Sequence, residues 1–114
     1  MKTNEKICKW LGMTEIKDER IYKRYNYYGE IIFDDKIDFL HDRNQQKWII
    51  DELKKRKYSI KIFITENYAT AIIYRGGIGE FRGLSELGDD GPAFIDAVEQ
   101  LIDNENDTSK NLQS

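Results

Sequence analysis

The stretch best equipped for chemistry runs Arg75-Gly76-Gly77-Ile78-Gly79-Glu80-Phe81-Arg82. Glycines let backbone amides approach a phosphate closely, and flanking guanidinium groups can fork onto its oxygens. Arg75, Gly76, Gly77, Gly79 and Arg82 are therefore candidate anion-binding residues. The stretch is not a P-loop, because the Lys-Ser/Thr ending is missing and no helix signal follows directly. A glycine-rich hairpin turn is the simpler reading of the same residues. A second candidate is the run Tyr22-Lys23-Arg24-Tyr25-Asn26-Tyr27-Tyr28. There Tyr25 and Tyr27 could stack a base while Lys23 and Arg24 hold its phosphates. A hairpin with one buried face has the same pattern.

Other chemistries lack their parts. A Ser-His-Asp or Cys-His nucleophile needs an imidazole within reach, and the single histidine, His41, precedes a helix start where a loop residue is expected. One cysteine and one histidine cannot compose the usual zinc ligand sets, and Cys8 alone cannot form an internal disulfide. Asp34, Asp35, Asp38 and Asp42 are the densest carboxylate group, but they lack EF-hand spacing and Asp42 already serves as a helix cap. The expectation is a non-enzymatic protein without cofactor or metal.

The elements that must position these residues follow from periodicity. Thr3 offers an N-cap, Ile7, Trp10 and Leu11 a helical stripe, and Gly12 a terminator. Residues 20–33 suggest a hairpin centred on Asn26-Tyr27-Tyr28-Gly29. Asp42 with Gln45 three residues later marks a capping box, and Trp48, Ile49 and Leu53 follow on one face, with Trp48 expected in the core. Tyr58 to Thr65 alternates as a strand, Tyr68 to Tyr74 suits a central strand covered on both faces, and a third strand follows around Glu80 to Gly83. Pro92 opens a final helix whose apolar positions are Phe94, Ala97, Val98, Leu101 and Ile102. Residues 1–103 are thus expected to form one domain. The polar segment 104–114 is expected to be a disordered tail, because it has too little apolar surface to offset its ordering entropy.

Bulk properties narrow the context. At 114 residues one core is expected, burying roughly 65% of the unfolded chain's surface. A net charge of -3 supplies no general attraction to nucleic acid or anionic membrane. No apolar run approaches a membrane span, and the polar start is unlike a signal peptide. A location in the compartment of synthesis, the cytoplasm, is the expectation.

The order of motifs resembles the phage ABA sandwich domain family of small phage and prophage proteins. The similarity rests on the Leu11-Gly12 helix end, the Asn26 to Gly29 turn, Asp38-Phe39 and Asp42 ahead of the Trp48 helix, Lys57-Tyr58, the strand near Ala71 to Tyr74, and Asp89-Asp90-Gly91-Pro92. The resemblance implies an α+β αβα sandwich, with helices on a mainly antiparallel sheet of four or five strands, and a phage gene expressed in bacterial cytoplasm. In that setting the expected function is an anti-defence sponge that sequesters a nucleotide-like signal. The alternative is an inhibitor or accessory factor that binds a host protein. A sponge would need a closed pocket, often at an oligomer interface, so a homo-oligomer is among the expected partners.

Overall fold

The computed structural model describes residues 2–17, 22–76, 79–86 and 89–113, with Gly79 and 108–113 described by their backbone. Helix α1 (Thr3–Trp10) buries Ile7, Cys8 and Trp10 along one face. It ends as expected at Gly12, whose φ of 84° lets Met13 N–H reach the Cys8 carbonyl at 3.0 Å while Gly12 N–H bonds Lys9 at 3.1 Å. Its start differs from expectation. Lys2 holds the cap position without a side-chain bond, and Thr3 Oγ1 donates instead to Glu99 Oε2 at 2.9 Å, tying α1 to the last helix.

Strands β1 (Thr14–Glu15), β2 (Arg24–Tyr27) and β3 (Glu30–Phe33) form one antiparallel sheet in that order. The expected hairpin closes through a two-residue turn at Tyr28 and Gly29, with φ of 51° and 84°. Two positive φ values match the right-handed twist of the strands, and Asn26 Oδ1 accepts the Gly29 N–H at 3.0 Å. A short 3₁₀ turn at Asp34–Lys36 leads toward α2 (Arg43–Lys55). Asp42 caps α2, accepting from the N–H groups of Asn44 and Gln45. Gln45 forgoes the return bond of a capping box. Its amide accepts from Asp38 N–H and donates to the Lys36 carbonyl, each at 2.7 Å, stitching the approach loop to the helix.

A second antiparallel sheet contains β4 (Ser59–Ile64), β5 (Ala69–Arg75) and β6 (Gly79–Ser85), in that order. Helix α3 (Asp90–Gln113) lies on β5 and β6. Ala69, Ala71 and Ile73 are fully buried beneath it, and Gly83 sits so close to the helix that a Cβ there would collide with the Ala93 carbonyl. The fold is therefore α+β, with three helices and two three-stranded antiparallel sheets among the described residues, where one sheet of four or five strands was expected. Each hairpin completes its ladder locally, and α2 separates β3 from β4 while setting Trp48 against Tyr27 of the first sheet. Central strand β5 also departs from expectation. Thr70, Ile72 and Tyr74 are only half-buried, and Phe63 and Leu84, which flank Thr70 on that same face, are exposed.

Helix α3 continues past the expected boundary at residue 103. Within that continuation, Glu105 accepts from Trp10 Nε1 at 3.1 Å, Arg56 Nη1 at 2.9 Å and Tyr58 OH at 3.4 Å. Arg56 completes the knot by donating to the Trp10 carbonyl and stacking on the Trp10 ring at 4.5 Å. One carboxylate thus joins α1, the end of α2 and the start of β4.

Two outcomes are expected in urea unfolding. Gly83→Ala should destabilise by on the order of 1–3 kcal/mol, because α3 must lift from β6; an unchanged midpoint would show that the contact relaxes freely. Glu105→Ala should cost about 1–3 kcal/mol through the donors it strands, with Glu105→Gln recovering part of the loss.

Candidate functional site

The two arginines of the glycine-rich turn stand on opposite faces of the second sheet. Arg75 follows the parity of Ala71 and Ile73, whereas Arg82 pairs across from Ile72. Arg75 stacks on Tyr58 at 4.4 Å and donates from Nη1 to the Arg56 carbonyl at 2.8 Å, so its guanidinium closes the end of β4. Arg82 is exposed and holds Glu80 at 2.9 Å. Gly76 is an exposed turn residue, Gly79 begins β6 opposite Arg75, and Gly77 lies outside the described residues. The turn does not bring its two cations together.

The tyrosine run divides in the same way. Tyr25 is 5% exposed and lies beneath Lys23, whose ammonium is 5.7 Å from the ring centroid. Burial pushes its hydroxyl pKa up, and the ring offers no open face for a stacked base. Tyr27, two residues on, is half-buried and turns to α2.

There the structure assembles a cleft that sequence reasoning did not find. Tyr27 meets Trp48 at 5.3 Å between centroids with the rings tilted by 50°, and Tyr28 meets Tyr27 edge-on at 4.6 Å. Glu30, Asp51, Glu52 and Lys55 complete the walls of a cleft of about 490 Å³. Helix α2 supplies Trp48, Asp51, Glu52 and Lys55 at i, i+3, i+4 and i+7, one face of a helix. Trp48, expected in the core, is thus a half-buried wall of the cleft. The spacing on α2 was visible in the sequence. Its meeting with the hairpin depends on where the first sheet sits.

The cleft already holds one cation. Lys55 Nζ donates to Tyr28 OH at 3.0 Å and lies 5.5 Å from that ring's centroid. The hydrogen bond to Tyr28 raises the Lys55 pKa above its ordinary value, and burial raises that of the Tyr27 hydroxyl. Glu52 is shared with Arg56, which donates from Nε at 3.0 Å. Aromatic faces attract cations, and with Glu52 paired to Arg56 the carboxylates of Glu30 and Asp51 stand against the Lys55 ammonium, which adds to that attraction and opposes phosphate.

Groups outside the cleft have defined roles. Burial pushes the Cys8 thiol up to about 12, which leaves it protonated and unreactive as a nucleophile. His41 Nδ1 lies 3.0 Å from Asp38 in an exposed loop. Among the described residues no group of three His, Cys, Asp or Glu is placed to hold a metal ion. No helix among them is long and apolar enough to cross a membrane. No family model, curated protein or solved structure matches the chain.

Tyr28 carries a bulky side chain in left-handed backbone with its ring 77% exposed. Tyr28→Asn should therefore relieve strain and raise stability by up to about 1 kcal/mol, since Asn tolerates this conformation. A thermal melt checks it; a lower melting temperature would show that the ring's contacts with Tyr27 and Lys55 outweigh the strain.

Proposed function

We propose that the protein is a non-enzymatic binding module that docks a partner protein, receiving a lysine or arginine side chain of that partner in the cleft between the β2–β3 hairpin and α2. The observation that carries this reading is the set of three rings, Tyr27, Tyr28 and Trp48, rimmed by Glu30, Asp51 and Glu52. Lys55 already lies against Tyr28, so the site's own occupant illustrates the chemistry it accepts. An incoming guanidinium would take its place over the rings and find carboxylates at the rim. Such a role corresponds to an inhibitor or accessory factor, and the phage resemblance makes a host protein the natural partner. The nucleotide-sponge reading draws on Arg75 and Arg82 acting together, which their placement on opposite faces does not favour.

The test is a titration followed by Trp48 fluorescence and calorimetry, using an arginine-rich peptide in one arm and cyclic nucleotides with ADP-ribose derivatives in the other. The peptide is expected to bind, and Asp51→Lys with Glu30→Lys should weaken it at least tenfold, about 1.4 kcal/mol, without changing the melting temperature greatly. Nucleotide binding that charge reversal strengthens would overturn the proposal and restore the sponge.

A further inference from the structure

We propose that the outer edge of β4 pairs with the same edge of a second copy of the chain. The pairing is antiparallel about a two-fold axis normal to the sheet and centred on Ile62. This inference is independent of the aromatic cleft.

Strand β4 has β5 on one side and no neighbour on the other among the described residues. Its sequence, Ser59-Ile60-Lys61-Ile62-Phe63-Ile64, contains no proline, and the single charge of Lys61 is its one guard against edge pairing. The opposite edge, β6, carries Glu80 and Arg82 and lies under α3. On β4, by contrast, the side chains outrun their cover. Ile62 is 41% and Ile64 61% exposed on the helix side, and Phe63 is 53% exposed on the other face.

The strand is complementary to itself in one register. A two-fold normal to the sheet keeps each residue on its own face, so the centre must fall on a residue. Centring on Ile62 sets Ile62 against its equivalent and Ile60 against Ile64 of the second copy, joining six isoleucines in one stripe. On the other face it sets Lys61 against Phe63 of the second copy, a cation beside an aromatic ring, as Lys61 already lies 5.4 Å from Tyr74. Centring on Lys61 would oppose two ammonium groups, and centring on Phe63 would set Ile60 against Glu66. Only the Ile62 register satisfies both faces over the length of the strand. Two three-stranded sheets then become one of six strands, with α3 of each copy on the same side.

Sedimentation of the full chain over a range of concentrations, with circular dichroism to confirm folding, is the first measurement. The expected species has twice the chain mass of 13.5 kDa. Phe63→Lys, an exposed position opposite Lys61 of the second copy, should weaken the dimer at least tenfold while leaving the fold intact. Ile62→Cys reads the register directly. Cβ atoms at a directly opposed pair lie about 4.5–5.5 Å apart, close to disulfide reach, so oxidation should give a covalent dimer, whereas Ile60→Cys should not. Buried Cys8 does not compete. A monomer up to about 0.1 mM, well above ordinary dimer dissociation constants, would overturn the proposal. So would a dimer unaffected by Phe63→Lys, or cross-linking at Ile60 in place of Ile62.

Discussion

The close approach of α3 to β5 and β6 is the constraint on which the rest of the structure depends. It is made possible by small residues on both surfaces: Gly83, Ala69 and Ala71 on the sheet, Ala93 and Ala97 on the helix, with the alanines fully buried. With backbone almost on backbone, α3 becomes a fixed platform. Helix α1 is then held to it by Thr3 and Lys6 bonding Glu99, with Lys6 also reaching Asp103, and by the Trp10 indole bonding Glu105. At its other end α3 receives α2, through the Arg43 pair with Asp90 and the tight passage of Gly91 beneath Leu40 and Gln46. The Arg43 guanidinium keeps the Asp90 carboxyl below its usual pKa.

Much of this was legible in the chain. The Tyr28-Gly29 turn, the Asp42 cap, the Gly12 helix end and the apolar face of α3 are local signals, and local geometry satisfied them. Less legible were features that depend on which element meets which. The capping-box glutamine prefers the loop carbonyl of Lys36, because that loop is folded beneath the helix start. Thr3 finds Glu99, ninety-six residues away, before it finds its own helix amides. Glu105 lies in a stretch whose composition suggested a tail, yet a single carboxylate can be held by three donors without any apolar surface of its own.

The candidate sites show the same division between composition and placement. Arg75 and Arg82 bracket a turn in the sequence, but strand parity sends them to opposite faces, and parity follows from the pairing of Arg75 with Gly79. Tyr25 and Tyr27 share a strand face in alternation, but one lies under Lys23 against the core and the other at the rim beside Trp48. A residue type announces what it can do. Only its neighbours decide whether it is free to do it.

The buried thiol of Cys8 has a consequence of its own. It is 1% exposed and its pKa is pushed up to about 12, so in the native state a thiol-specific reagent meets neither access nor thiolate. Modification must wait for the packing around Cys8, where Lys23, Tyr25 and Asp34 lie near the thiol, to open, and where reclosing outpaces the reagent, the labelling rate measures the equilibrium population of opened molecules. The chain thus carries an internal clock for its own opening, readable by mass from its native cysteine without any substitution. That clock would register any ligand or second copy binding the closed form as a slowing in proportion to occupancy.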